Sequence, residues 1–362
     1  MLKSTLRLFV FFCTLTVGLS FAQGLESDLS KLGSLAGKAY ISPLVNNVGV
    51  NLNSGWMNTA PANKKFGFDL EFGVVGMYSS FNSQGDNRFS VDGTFRFSRS
   101  QLLEITKDVS DPAIREDVIN QLLVRDMPVR ISGANIAGGE KDNIFVLFGA
   151  NGPENVEVNG PFPVTVTLNP KLVDLGVGGL LNGMKRIPGA APQLKIGTVL
   201  GTRAIIRMVP EIKLGDSIGT FSYFGFGLEH NVAYWLEPLT GKLPLDITVG
   251  FLTQNAKLDK SASFSATSYG MNVSFKFSLL GWLDVTPYTG FMLESTKLSV
   301  NITKQIDTPN GLQSANIAFD IEGENSARFV LGASFRMAII NLNIEYAAAK
   351  ASTLIAGLSF KF

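Results

Sequence analysis

Cysteine is nearly absent. The 362 residues hold one, Cys13, and it lies inside an apolar leader. That leader has Lys3 and Arg7 at its start, an apolar run from Leu8 to Leu19, and Ser20-Phe21-Ala22 as a small-x-small cleavage site before Gln23. No lipoprotein cleavage pattern follows Cys13, which argues against a lipid anchor. The mature chain therefore carries no disulfide framework of the kind that staples secreted domains. Neither sign of charge dominates either. Without residues 1–22 the chain has 29 basic against 30 acidic residues, and the clustered basic face of a nucleic-acid-binding protein is missing. No mature segment approaches 18 uninterrupted apolar residues, and the leader is too short and wrongly flanked to span a bilayer. A mean hydropathy of +0.20 must then be spread over many short segments.

Those segments alternate. Read backwards at every second position, the C-terminus gives Phe362, Phe360, Leu358, Ala356 and Leu354, with Lys361, Ser359, Gly357 and Ile355 between them. This is the unit of a transmembrane β-barrel, whose lipid and lumen faces alternate along each strand. Phe66, Phe68, Leu70, Phe72, Val74 and Tyr78 repeat the pattern, with Asp69, Glu71 and Gly73 opposite. In residues 88–98, Phe89, Val91, Phe95 and Phe97 alternate with Arg88, Ser90, Asp92, Thr94 and Arg96. Alternation alone fits a soluble sandwich as well as a barrel; the leader, the missing cysteine and the terminal aromatic strand favour the barrel. A turn between Ser83 and Gln84 predicts a hairpin, with Phe72 against Phe95 on the lipid side and Glu71 against Arg96 as a lumen ion pair.

The expected fold class is all-β: a transmembrane antiparallel barrel of 12 to 14 strands, counting roughly 20 to 28 residues per strand and connection. Residues 1–22 are the signal peptide, 23–62 an N-terminal plug or periplasmic lead-in, and 63–362 the barrel. Leu25, Leu29, Leu32 and Leu35 predict a helix ending at Gly37, followed by an irregular Asn- and Gly-rich stretch to 62. Ser110-Asp111-Pro112 starts a second helix, over about 110–124, inserted as a loop or folded into the mouth. Short strands are expected at 144–149, 162–168 and 194–200. From 203 onward strands recur at 203–214, 219–236, 244–257, 264–278, 282–298, 314–321, 326–338, 340–348 and 353–362. The long stretch 219–236 suggests a projecting strand or a bulge near Gly225 and Gly227. An even strand number would put both chain ends on the periplasmic side. Trp56, Trp235 and Trp282, with Tyr78, Tyr223, Tyr234, Tyr288 and Tyr346, would suit interfacial girdles, or simply be buried.

Catalytic signatures are missing. His230 is the single histidine. It alternates with Phe224, Phe226, Leu228 and Val232, with no serine at a matching spacing, so a structural role outweighs a catalytic one. No Gly-x-Ser-x-Gly or His-Glu-x-x-His occurs. Gly33-Ser-Leu-Ala-Gly-Lys38-Ala is one residue short of a phosphate loop, and it ends in Ala. Asp307-Thr-Pro-Asn-Gly311 reads as a loop tip rather than a calcium site. No enzyme activity, metal or cofactor is expected.

The stretch from Tyr40-Ile-Ser-Pro to Trp56-Met-Asn-Thr-Ala60, followed by Phe66-Gly-Phe-Asp-Leu, resembles an uncharacterised family of Gram-negative outer-membrane proteins. In layout, a polar-glycine N-terminal segment before a long barrel is similar to the long-chain fatty-acid transporter (FadL) type. That resemblance implies a 14-stranded barrel with an N-terminal hatch that moves hydrophobic molecules; no ligand residue carries over. The terminal strand with Phe360 and Phe362 resembles the signal read by the barrel assembly machinery. The implied place is the bacterial outer membrane, with its lipid and that machinery as partners and a lipophilic small molecule as a further candidate. The functional alternatives are a transport barrel with 23–62 as its hatch, and a non-transporting structural or adhesive barrel with a closed lumen.

Overall fold

In a computed structural model the described residues are 25–81, 87–158, 164–179, 181–182, 184–215, 219–240, 245–258, 262–279, 281–308 and 311–362. The leader therefore lies outside the described residues, as do the Asn82-to-Gly85 turn and the tip at Pro309-Asn310. The chain divides into two compact units. One contains residues 42–85, 184–302 and 318–362; the other contains residues up to 41, 86–183 and 303–317.

Chain order starts with helix α1 (Leu25–Asn53) and strand β1 (Phe66–Ser80). Next come β2 (Arg88–Phe95), α2 (Arg99–Ile105), α3 (Pro112–Leu123), β3 (Met127–Ala134), β4 (Phe145–Phe148), β5 (Glu154–Val158), β6 (Val164–Leu168) and β7 (Lys171–Asp174). The remainder is β8 (Arg186–Val199), β9 (Thr202–Gly215), β10 (Gly219–Asn231), α4 (Ala233–Thr240), β11 (Asp246–Leu258), β12 (Ala262–Ser274), β13 (Phe277–Leu279), β14 (Leu283–Thr308), β15 (Gly311–Glu322), β16 (Ala327–Met337), β17 (Ile340–Ala348) and β18 (Thr353–Lys361).

Among the described residues, ten strands close into an antiparallel ring in the order β1, β8, β9, β10, β11, β12, β14, β16, β17, β18. The seam is β1 against β18, with Glu71 opposite Lys361, Phe72 opposite Phe360 and Tyr78 opposite Leu354. β13 and β15 only extend the ring by pairing with β14. The ring is smaller than the expected 12 to 14 strands because residues 86–183 build separate sheets instead of barrel strands. The ten also differ from the fourteen of the FadL type.

Burial along the ring strands is the reverse of a soluble protein's. In β17, Ile340, Leu342, Ile344 and Tyr346 are exposed, whereas Asn341, Asn343 and Glu345 are buried. In β18, Leu354, Leu358 and Phe360 are exposed, with Thr353 and Ile355 inside. β1 repeats this: Phe68, Phe72 and Val74 point out, and Asp69, Glu71 and Ser79 point in. Closure satisfies every ladder hydrogen bond without an edge, and the apolar outer belt is the surface that lipid covers. Strands such as β16, β17 and β18, 11, 9 and 9 residues long, match the roughly 9–11 residues of a tilted transmembrane strand. These features make the chain an outer-membrane β-barrel.

The expected hairpin of 66–78 with 88–98 does not form. β1 pairs with β18 and β8, and β2 pairs with β3, setting Phe95 against Met127. A period of two orients side chains but names no partner strand. Glu71 and Arg96 are accordingly not a pair: Arg96 bonds Asp126 at 2.7 Å. The sheet β2-β3-β4-β7 and the hairpin β5-β6 belong to the unit of residues 86–183. Its core gathers Leu102, Val118, Ile119, Leu122, Met127, Val156 and Val158. The Asp111 carboxylate caps α3 by accepting from the Ala113 and Ile114 amides, with Pro112 at the first turn. At 219–236 the strand stops at Asn231 and α4 follows.

Candidate functional site: the barrel interior

The lumen is occupied by the chain's own residues 42–62. Instead of ending at Gly37, α1 runs on to Asn53. Inside a polar lumen a helix needs polar groups on several sides, so the apolar period that marks a surface helix disappears. What survives is a polar stripe at helical spacing, Asn47, Asn51 and Ser54, all buried. The helix ends at a glycine beyond its last turn, Gly55, with φ +71°. A Cβ there would lie 2.7 Å from Val75 and 2.9 Å from Ile355, so both backbone sign and space demand glycine.

Hydrogen bonds follow the segment from one end of the ring to the other. Near the Ser80 end of β1, Ser79 donates to the Asn47 carbonyl (3.1 Å) and Asn325 donates to the Asn46 carbonyl (3.2 Å). Midway, Arg328 donates to the Asn53 carbonyl (2.8 Å) and the Ser54 hydroxyl (3.1 Å), and Arg207 donates to the Ser54 carbonyl (2.9 Å). The Gln254 amide donates to Asn53 (2.9 Å), and Glu345 accepts from the Gly55 amide (3.2 Å). Trp56 lies against the Arg207 guanidinium, 4.1 Å from its ring centroid. Toward the Phe66 end, Lys195 donates to Asn58, Ser334 to the Asn58 carbonyl (2.8 Å), Arg203 to the Thr59 carbonyl (2.6 Å), and Asn231 to the Pro61 carbonyl (3.1 Å). Residue 42 thus enters the lumen at the end opposite Phe66. The expectation that both chain ends share one side is corrected: the even strand count places the start of β1 beside the end of β18, but the segment before β1 runs back through the ring.

The interior charges balance in two groups. Arg203, fully buried, meets Glu229 at 2.5 Å, Asp69 at 3.2 Å and Glu71 at 3.9 Å, while Lys361 meets Asp69 at 3.2 Å. Ser359 donates to Glu71 at 2.7 Å. With Lys195 buried beside them, three cations face three carboxylates. Farther along, Arg328 pairs with Glu294 at 3.0 Å, and Tyr288 donates to Glu345 at 3.1 Å. Desolvated charges persist only when compensated this way. Cavities beside Asn58 and beside Trp56 measure about 10 Å³ each, room for about one water molecule. Among the described residues no cluster of three or more metal-ligating side chains occurs.

Of the sequence-expected site residues, Glu71 sits in this network, and Phe360 and the terminal Phe362 stand exposed on the outer face. Arg96 has no part in it. Trp56, Tyr223 and Tyr288 are interior rather than girdle residues, whereas Trp235, Trp282, Tyr78 and Tyr346 are exposed on the outside. The register irregularities of β10 against β9 fall at Gly219/Thr220 and Phe221/Tyr223, just before the expected Gly225 and Gly227. At Gly225 the pairing is regular, and its missing Cβ would lie 2.7 Å from the Trp56 ring. His230 Nε2 accepts from Trp235 Nε1 (2.9 Å), and its Nδ1 lies 3.0 Å from the Thr202 hydroxyl. Arg203, Arg207, Arg328 and Lys195 were not singled out by sequence. Their available signal was a basic residue at inward parity in an apolar strand.

A family model matches residues 1–362. The chain belongs to DUF6588, a family of unknown function. No curated protein matches it. Among solved structures, Ail, the attachment invasion locus protein of Yersinia pestis, is 10% identical, covering 44% of this chain and 93% of that one at a TM-score of 0.21. A loop-deletion form of OmpT, an outer membrane protein of Vibrio cholerae, is 9% identical over 83% of this chain and 100% of its own, at 0.23. The β domain of the Bordetella autotransporter BrkA is 9% identical over 82% and 100%, at 0.21. Likeness this slight adds nothing to what the closed ring shows by itself.

Proposed function

We propose that this protein is a non-catalytic, closed outer-membrane barrel, structural or adhesive in role, that anchors the region inserted between β1 and β8. The observation that carries this reading is the lumen. Residues 42–62 run through it and are held by groups from β1, β8, β9, β10, β11, β12, β16, β17 and β18. Transport of small hydrophobic molecules, with 23–62 as a hatch, would require that segment to leave and the buried arginines to find other partners. Outer-membrane lipid covers the outer belt, and the barrel assembly machinery reads Phe360 and Phe362.

Planar-bilayer recording of the purified full-length protein tests this. The expected result is no conductance from the full chain and a steady conductance after deletion of residues 42–62. Conductance from the intact protein, or uptake of a lipophilic probe that depends on residues 42–62, would overturn the closed-barrel reading in favour of transport. Replacement of Phe360 and Phe362 by Ala is expected to lower the amount of heat-modifiable barrel recovered from outer membranes.

A further inference from the structure

The unit that includes residues 86–183 contains an open cavity of about 1460 Å³ between α2 and one face of the sheet β2-β3-β4-β7. This exceeds the roughly 300–1,000 Å³ of ordinary small-molecule sites, so it has room for a long chain rather than a compact metabolite. Its base is aromatic: Phe95 stands 5.0 Å from Phe97 and 5.6 Å from Phe148 between ring centroids. Its walls leave apolar side chains in solvent, with Leu103 40% and Ile105 41% exposed. Exposed apolar side chains gathered around one cavity mark a binding surface more often than chance.

The polar groups are not spread evenly around it. β7 runs from Lys171, opposite Phe148, to Asp174, opposite Phe145, so those two charges are about 10 Å apart along the strand. Asp174 is engaged at its own end, accepting from Asn143 and from the Gly176 amide, both at 2.8 Å. At the other end three cations surround Glu104, and Asp108 acts on Lys107 alone among them, so three positive charges meet two negative ones. Glu104 pairs with Lys107 at 2.8 Å. Its carboxyl is held below the ordinary value by the Lys107 hydrogen bond first, then by the charges of Lys107, Lys171 and Arg115. Arg115 spends its donors on neutral acceptors, the Leu103 carbonyl and the Thr106 hydroxyl. The Lys171 ammonium has no hydrogen-bond or ion-pair partner among the described residues, its main chain being paired with Phe148 in the sheet. One end of an apolar cavity therefore carries positive charge that the protein does not neutralise.

We propose that this cavity binds a single-chain amphiphile with an anionic head group, its tail over Phe95, Phe97 and Phe148 and its head at Lys171 and Arg115. A neutral or cationic amphiphile of the same length would lose the head-group contact and keep only the tail. The shared chemistry is a long alkyl chain on a carboxylate or phosphate. A free carboxylate and a membrane phospholipid differ in source, and the measurement separates them.

The test uses the full-length protein in nanodiscs of zwitterionic lipid, with empty nanodiscs as the blank. The probe is 11-(dansylamino)undecanoic acid, displaced in turn by palmitate, hexadecanol and hexadecyltrimethylammonium. Saturable probe fluorescence above the blank is expected, with displacement by palmitate at least tenfold more effective than by hexadecanol or the ammonium compound. Lys171→Glu should weaken palmitate at least tenfold and leave hexadecanol unchanged. Val173→Trp, on the same face of β7 as Lys171 and in the cavity lining, should block all three by filling the cavity. Nanodiscs containing anionic phospholipid should reduce probe binding only if the bilayer is the source of the head group. Binding no greater than to empty nanodiscs, or equal binding by wild type, Lys171→Glu and Val173→Trp, would overturn the proposal.

Discussion

β1 and β2 look alike in sequence and have opposite fates. Both alternate aromatic residues with charges. In β1 the aromatics face outward, and the Asp69 and Glu71 side chains are 5% and 2% exposed against a fully buried Arg203. In β2 the aromatic Phe95 is buried, and the charges stand in solvent: Asp92 with Arg130 and Arg88 with Asp142, followed just past the strand by Arg96 with Asp126. One pattern is therefore read inside out by a barrel and right way round by a sheet with its own core. The energetic weight of the ion pairs reverses with it. Breaking a buried pair strands a desolvated charge, at about 3–5 kcal/mol, whereas an exposed pair contributes about 0–1 kcal/mol.

That contrast breaks first at Arg203. Arg203→Ala should destabilise the barrel by about 3–5 kcal/mol, seen as a lower urea midpoint for loss of heat-modifiable gel mobility. An unchanged midpoint would remove the distinction between the two kinds of pair. Ile119→Ala, in the core beneath α3, should cost about 2–4 kcal/mol but only in the other unit. Limited proteolysis should then cut within 86–183 while the barrel fragment keeps its heat-modifiable mobility. Asp111→Ala removes the α3 cap and should cost about 1 kcal/mol, measured by the same proteolysis rate.

Arg96→Ala should have the smallest effect, less than about 1 kcal/mol, and should vanish in high salt. A pH titration sharpens the point at Asp92. The hydrogen bond from Arg130 holds its carboxyl below the ordinary value, so the pair's small contribution is present above the ordinary carboxylate range. It is lost as pH falls through the lowered value. Asp92→Asn should erase that acid limb from the proteolysis profile; a limb unchanged in the variant would assign it to another group.

Much of the barrel was legible from residues alone. Most strands from 203 onward, with β1 and β18, fall close to their expected bounds, because a lipid-facing side chain and a lumen-facing one cannot trade places without burying charge in hydrocarbon. The exceptions are β10, which stops at Asn231 instead of 236, and β14, which runs to Thr308 instead of 298. The helix after Asp111-Pro112 was legible for a local reason, since a capping carboxylate and a proline act within one turn. The inner helix was not. Asn46, Asn47, Asn51 and Asn53 lower local helix propensity, and only the surrounding arginines and amides make them favourable there. The cluster of Arg203, Arg207 and Arg328 was likewise invisible, because its members lie on β9 and β16, far apart along the chain.

The sequence by itself determined which face of each strand points outward, that a single cysteine allows no disulfide within the chain, and where most ring strands begin and end. These follow from period, composition and capping, which act over a few residues. Only the tertiary structure decided that the ring closes at ten, that β18 rather than β2 seals against β1, and that residues 42–62 fill the lumen. The seam of β1 with β18 and the bond of Arg203 to Asp69 join residues more than a hundred positions apart, and many strands share the same alternation.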